Sequence, residues 1–266
     1  MVAKKLFLFV IEGLRENDVF DNLSKVFFDG KGEVVTVPVP AEMNVYMLYK
    51  TLKEDDFETD IVEVLKEKVP GANEVLKDYH RDSFAEIYLF FDFDDQANNL
   101  RGVDNEIALK EMLEAFDNET ELGKLYISYP MVEALRDHVI DSCGVVSGAC
   151  HRNRKDFGAY KEDSSAKIEN NSFKGYDYPK WMGIVRNYVY RTSCLFHKNK
   201  LDRNDFIDTV TPFTIFEKQM YAYKKSEDIF ILSCLPEFLI DYSEKYWKES
   251  VCRRKKPVLN ASCQYK

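Results

Sequence analysis

Two short acidic stretches carry the strongest chemical signal in the chain. The apolar run "KLFLFVI" (5–11) leads into Glu12 and Gly13, and "AEIYLFF" (85–91) leads into Asp92, Phe93, Asp94 and Asp95. Carboxylates crowded where an apolar segment leaves its core repel one another, and a proton or a cation between them relieves the repulsion. Side chains alternate along an extended chain, so Asp92 and Asp94 share one side while Phe93 takes the other. Glu12, arriving on a neighbouring strand, completes a three-carboxylate cluster. Hard oxygen ligands with no nearby histidine suit Mg2+ or Mn2+ better than Zn2+. Without a metal, the same residues read as a strand-ending turn at Glu12 and as helix caps at Asp92 and Asp94.

The elements that must position these acids alternate in type. Residues 15–28 place Val19, Phe20, Leu23, Val26 and Phe27 at helical spacing. "VVTVPV" (34–39) is a short strand that its prolines are expected to stop, and helical periodicity returns over 41–53 through Met43, Met47, Leu48 and Leu52. An acidic helical insertion fills about 55–80. The third strand, 85–91, precedes a helix near 103–117 and a fourth strand, "KLYIS" (124–128). "YPMVEALRDHVI" (129–140) then puts a proline where an early helix position is expected. This order predicts an α/β fold over 1–140, with a four-stranded parallel sheet flanked by helices and right-handed crossovers. In such sheets functional groups collect beyond the carboxyl ends of the strands. The remainder, 141–266, reads as a mostly helical C-terminal region.

A strand ending in "IEG" (11–13), a later strand ending in "DFD" (92–94) and the fourfold alternation around them resemble a Toprim domain. This is the metal-binding module of topoisomerases, primases, recombination proteins and OLD-type nucleases. "SYPMVEAL" (128–135), with Pro130 and Glu133, resembles the segment after the fourth strand in stand-alone and OLD-type Toprim proteins. "FILSCLPEFLIDY" (230–242) resembles the closing segment of small Toprim proteins encoded in bacterial phage-defence loci.

The resemblance implies an Mg2+- or Mn2+-dependent nuclease that hydrolyses phosphodiesters of DNA or RNA, tRNA included, as a toxic anti-phage effector. Glu12, Asp92 and Asp94 would hold metal, with Glu12 alternatively the general acid or base. Glu133 and Glu16 would bind a second ion or orient a water. Toxic effectors need restraint, which points to an ATPase sensor partner; the chain has no GxxxxGK[ST] loop and does not bind ATP by that route. The alternative is a non-catalytic Toprim scaffold or partner-binding subunit. A receiver with Asp92 or Asp94 as phosphoacceptor fits less well, because "SYPMVEA" stands where a lysine is wanted. The chain departs from a compact Toprim pattern in the long interval between Glu12 and Asp92, hence the inferred insertion. Glu16 and Asp18 compete for the acid expected soon after "EG", and Asp95, Asp104 and Glu106 are further acids for a second metal.

A formal net charge of −9 over 266 residues argues against coating nucleic acid by bulk electrostatics, but leaves room for a local basic groove. "HRNRK" (151–155) offers Arg152, Arg154 and Lys155, and "RRKK" (253–256) is a second cluster. In 178–200, Trp181, Ile184, Val185, Tyr188 and Val189 recur at helical spacing, which favours a core over a base-stacking platform. Lys180, Arg186, Arg191, Lys198 and Lys200 could present a phosphate-tracking face. This half is expected to supply the substrate groove and a homodimer or partner surface.

All six cysteines (143, 150, 194, 234, 252 and 263) fall in the second half, and reduced thiols are the default for a chain this long. Zinc held by Cys143, Cys150 with His151, and Cys194 with His197 is a lesser reading, because the set lacks tight paired spacing. No run approaches the 18–20 or so apolar residues of a membrane span. The apolar start is short and has no small-residue cleavage site, so it reads as the first strand of a cytoplasmic protein.

Overall fold

The computed structural model describes residues 5–13, 17–93, 104–140, 150–166, 173–196 and 203–252. Its contacts divide the chain into two units, Met1–Tyr126 with Phe173–Gly175, and Ile127–Ser172 with Tyr176–Lys266. The segment 127–140, which the sequence pattern groups with the sheet, therefore clusters with the second unit.

The first unit is α/β. Its elements are β1 (Leu6–Glu12), α1 (Asn17–Phe27), β2 (Glu33–Val39), α2 (Val45–Lys53), α3 (Ile61–Lys68), α4 (Ala72–Leu76), β3 (Glu86–Asp92), α5 (Asn105–Ala115), β4 (Asp117–Asn118) and β5 (Gly123–Ser128). The sheet has the order β2-β1-β3-β5-β4, with β1 parallel to both β2 and β3. Four strands were expected and five are present, because the two-residue β4 pairs antiparallel with β5 at the edge. Two residues carry no periodicity, so pattern reading cannot find them. Pro38 does not stop β2 but lies inside it. An edge strand tolerates proline, since one side of its backbone needs no partner.

Phe7, Leu8, Phe9, Val10 and Ile11 are each at most 1% exposed, so β1 is covered on both faces. On one face Phe9 packs edge-on to Phe20 of α1, Tyr88 and Phe90, and Phe90 stacks on Tyr126. Such aromatic pairs contribute about 0.5–1.5 kcal/mol each beyond the area they bury. At Gly32 a Cβ would collide with the Phe7 ring and the Lys5 carbonyl, so the turn into β2 requires glycine. The 55–80 insertion holds α3 and α4. Asp60 caps α3, and Phe57 closes the end of α2 by packing against Tyr49 and Phe116. Phe173–Gly175 packs on α1, where Asn22 Nδ2 donates to the Lys174 carbonyl at 3.0 Å.

The second unit contains α6 (Ala134–Ile140), β6 (His151–Asn153), α7 (Phe157–Ala166), α8 (Tyr178–Leu195), α9 (Arg203–Thr209), α10 (Pro212–Ser226), β7 (Asp228–Phe230), α11 (Cys234–Tyr242) and α12 (Glu244–Cys252). Asp177 caps α8, a proline occupies its first turn, and the helix packs against α6, α11 and α12. Trp181, Ile184, Val185, Tyr188 and Val189 are all buried, as core residues should be. Pro130 is not in the first turn of a helix: it follows a cis Tyr129–Pro130 bond, and α6 begins only at Ala134. This mostly helical region also holds two short strands, β6 and β7, which pair antiparallel.

Gln219 shows how that ribbon is held. Its fully buried amide donates to the Phe230 carbonyl and accepts the Phe230 N–H, both at 2.9 Å, standing in for a missing strand. Gln219→Ala leaves two buried backbone groups unsatisfied and should cost about 2–4 kcal/mol in urea unfolding. A loss under about 0.5 kcal/mol would show that the ribbon does not depend on this amide.

His138 is fully buried and its Nε2 accepts the Ser233 N–H at 2.9 Å, which fixes the neutral ring. Burial, then the Arg191 charge, hold its pKa well below the ordinary histidine value. The unfolded chain binds this proton and the folded chain does not. Stability is therefore lost as pH falls below the unfolded value of about 6.5. Between pH 7 and 5 the wild type should lose about 1–2 kcal/mol more unfolding free energy than His138→Gln. Equal losses in both proteins would count against this assignment.

Candidate functional site

From β1 the chain runs out to β2 on one side, then returns past β1 to β3 on the other. The point where strand order reverses, between β1 and β3, opens a crevice beyond the carboxyl ends of those two strands. Glu12 ends β1 and Asp92 ends β3. Gly13, with φ of +86°, lets the chain leave β1 in a left-handed turn, while its N–H donates to the Val39 carbonyl at 2.8 Å.

The register fixes which way each acid starts. Phe9 opposes Tyr88 and Ile11 opposes Phe90, so alternation puts Asp92 on the aromatic face and Glu12 on the face of Leu8 and Val10. The two carboxylates thus approach the rim from opposite faces. Glu12 bends over the strand end, and its Oε2 accepts the Asp92 N–H at 3.1 Å. A carboxylate taking a backbone N–H in this way is both oriented and stabilised as an anion. Both residues are half-buried.

Asp94, Asp95 and Glu16 lie outside the described residues. Asp18 pairs with Lys174 at 3.2 Å. Asp104 caps α5 by accepting the Glu106 N–H at 2.8 Å. Glu133 belongs to the second unit and stands just before α6 rather than on it; it is buried, 7% exposed. Among the described residues no three His, Cys, Asp or Glu side chains form a metal-ligand group.

The basic residues of the second unit divide by environment. Arg152 pairs with Asp163 at 3.7 Å, and Lys155 is exposed. The Lys180 ammonium sits 3.9 Å from the Tyr176 ring centroid, and Arg186 Nε donates to the Ser250 carbonyl at 2.7 Å. Arg191 cannot track phosphate: it is fully buried, with Nη2 directed at the Asp137 carbonyl. Lys198, Lys200 and "RRKK" lie outside the described residues.

Pattern reading missed one juxtaposition. Arg154 N–H donates to the Glu227 carbonyl at 2.8 Å, and Asn153 Nδ2 donates to the Ser226 carbonyl at 2.9 Å. These bonds bring "HRNRK" to the end of α10, whose last turn carries Lys224 and Lys225, one turn beyond the exposed Tyr221. The paired lysines were visible in the sequence, but their neighbours depend on the β6–β7 pairing.

No protein-family model, curated protein or solved structure matches this chain. The Toprim resemblance therefore rests on the motif residues and on the strands that carry them.

The Glu12 contact has a direct consequence for stability. Glu12→Gln keeps an oxygen able to accept the Asp92 N–H and should change unfolding free energy by less than about 0.5 kcal/mol. Glu12→Ala strips that N–H of its acceptor and should cost about 1–2 kcal/mol in the same urea titration. Equal behaviour of the two variants would show that the bond does not matter to the fold.

Proposed function

We propose that the chain is an Mg2+- or Mn2+-dependent nuclease hydrolysing phosphodiester bonds of DNA or RNA, with Glu12 and Asp92 at the reaction centre. The observation that supports this reading is the meeting of these two acids at the strand-order reversal, where one Glu12 oxygen is already tied to the Asp92 backbone. Hard oxygen donors at a sheet rim suit Mg2+ or Mn2+ better than a softer metal. Asp94, two residues further on, adds a third carboxylate to the same stretch of sequence.

A bound divalent cation supplies electrostatic stabilisation of the charge that builds on the attacking and leaving oxygens. Glu12 and Asp92 hold the ion, and Glu12 alternatively moves the proton of the attacking water or leaving hydroxyl. The bond from the Asp92 N–H limits the rotation of the Glu12 carboxylate, so little reorientation is needed on binding. Glu16 is assigned to a second ion or to orienting a water. Arg152, Arg154, Lys155, Lys180 and Arg186, joined by Lys224 and Lys225, contact the phosphate backbone, which sets affinity rather than sequence preference. In this reading the protein is a toxic effector of phage defence, held in check by an ATPase sensor.

The test is degradation of plasmid DNA, single-stranded DNA and total tRNA with and without Mg2+ or Mn2+. Wild type should cleave at least one substrate only with metal, and Glu12→Gln and Asp92→Asn should lower the rate roughly 100-fold or more. Cleavage that survives chelation or both substitutions would overturn the reading. Absence of cleavage on every substrate, with metal present, would favour the scaffold alternative.

A further inference from the structure

One buried oxygen stands unmatched at the start of α1. Asn17 is the first residue of that helix, which follows the turn out of β1. Its Oδ1 is shielded from solvent and has no hydrogen-bond partner. An acceptor left in that condition is unfavourable to the fold, and buried polar atoms are normally met by protein, water or an ion. Asn44, Asp60, Asp104 and Asp177 each accept a backbone N–H at the start of the helix they cap. Asn17 lies one place too far along to cap α1, and its oxygen accepts no such bond.

The packing of α1 puts this oxygen over Asp92. Because β1 and β2 are parallel neighbours, α1 between them runs back along the sheet and starts at the carboxyl ends of the strands. The Phe20 ring lies 4.9 Å from that of Phe90 and 6.3 Å from that of Phe9, so α1 covers the aromatic face, on which Asp92 also starts. Asn17 stands three residues before Phe20, on the same side of the helix and about 4.5 Å nearer the rim. Asp92 stands two residues after Phe90, on the same face of the sheet and about 6.6 Å nearer the same rim. The pair that follows the Phe20–Phe90 contact towards the crevice is therefore Asn17 and Asp92, and the Asp92 N–H is the group that holds the Glu12 carboxylate.

We propose that Asn17 Oδ1 is a further oxygen ligand of the divalent cation held by Glu12 and Asp92. This role rests on the metal-dependent reading of those two acids, and it adds a donor from the helix to the two from the strands. An amide oxygen is a hard donor of the kind that Mg2+ and Mn2+ accept. Beside two carboxylates, an unmatched acceptor finds only further lone pairs, whereas a cation satisfies all three groups at once. Being neutral, Asn17 helps fix the ion without adding negative charge that would oppose an incoming phosphate.

The test is calorimetric titration of Mn2+ into wild type, Asn17→Leu, Asn17→Asp and Glu12→Gln, with urea unfolding of each in chelator. Asn17→Leu keeps the size of the side chain and removes its oxygen. It should bind Mn2+ at least about tenfold more weakly than wild type. Its urea midpoint in chelator should not fall, because no hydrogen bond of Oδ1 is lost. Asn17→Asp keeps an oxygen in place, adds charge, and should bind Mn2+ at least as tightly as wild type. Wild-type affinity in Asn17→Leu, alongside weakened binding in Glu12→Gln, would overturn the role of Asn17 and leave the metal reading standing. Absence of Mn2+ binding by wild type would overturn both. Weakened binding in Asn17→Leu that Asn17→Asp fails to restore, with a lowered midpoint in chelator, would assign the amide to the fold and overturn the proposal.

Discussion

The parallel pairing of β1 on both of its edges constrains everything else in the first unit. With β2 on one edge, β3 on the other and both faces covered, no residue between Phe7 and Ile11 can carry charge without leaving it in the core. Glu12 is the first position at which the strand reaches a rim. Its charge is met there by the Asp92 N–H, a backbone donor at the end of the neighbouring strand. The residues that end the hydrophobic core are therefore the residues that begin the candidate site. A carboxylate placed by two strands of one sheet is more firmly positioned than one on a loop.

The second unit is organised on another basis. Around α8 the core holds large aromatics together with charged and polar groups: Arg191, Asp137 and His138 are fully buried, and Tyr160 donates to Asp137. Buried charge of this kind is retained only where partners satisfy it, and removing one partner is costly. Arg191 illustrates the consequence for function. Its charge is directed inward, where it adds to burial in lowering the pKa of His138, and it is not available to a phosphate.

The sheet was legible in the sequence where two signals agreed. β1 and β3 are continuous apolar runs that end in acids, and α1 and α5, which follow them, show helical spacing, so their existence and order followed from periodicity alone. The acids were found because each stands at the end of such a run. Where one residue type had two uses, context decided: Pro38 sits in a strand because that strand is at an edge, and Asp104 caps α5. The burial of Glu133 and Arg191 and the β6–β7 ribbon depend on contacts between distant segments. Local patterning contains no trace of them.

A nuclease of the proposed kind requires Glu12 and Asp92 to share a divalent cation at the ends of β1 and β3. The most direct measurement is calorimetric titration of Mn2+ into wild type, Glu12→Gln and Asp92→Asn, each verified as folded. Wild type should bind saturably, and each variant at least about tenfold more weakly. Absence of binding to the wild type, or identical isotherms for all three proteins, would contradict it.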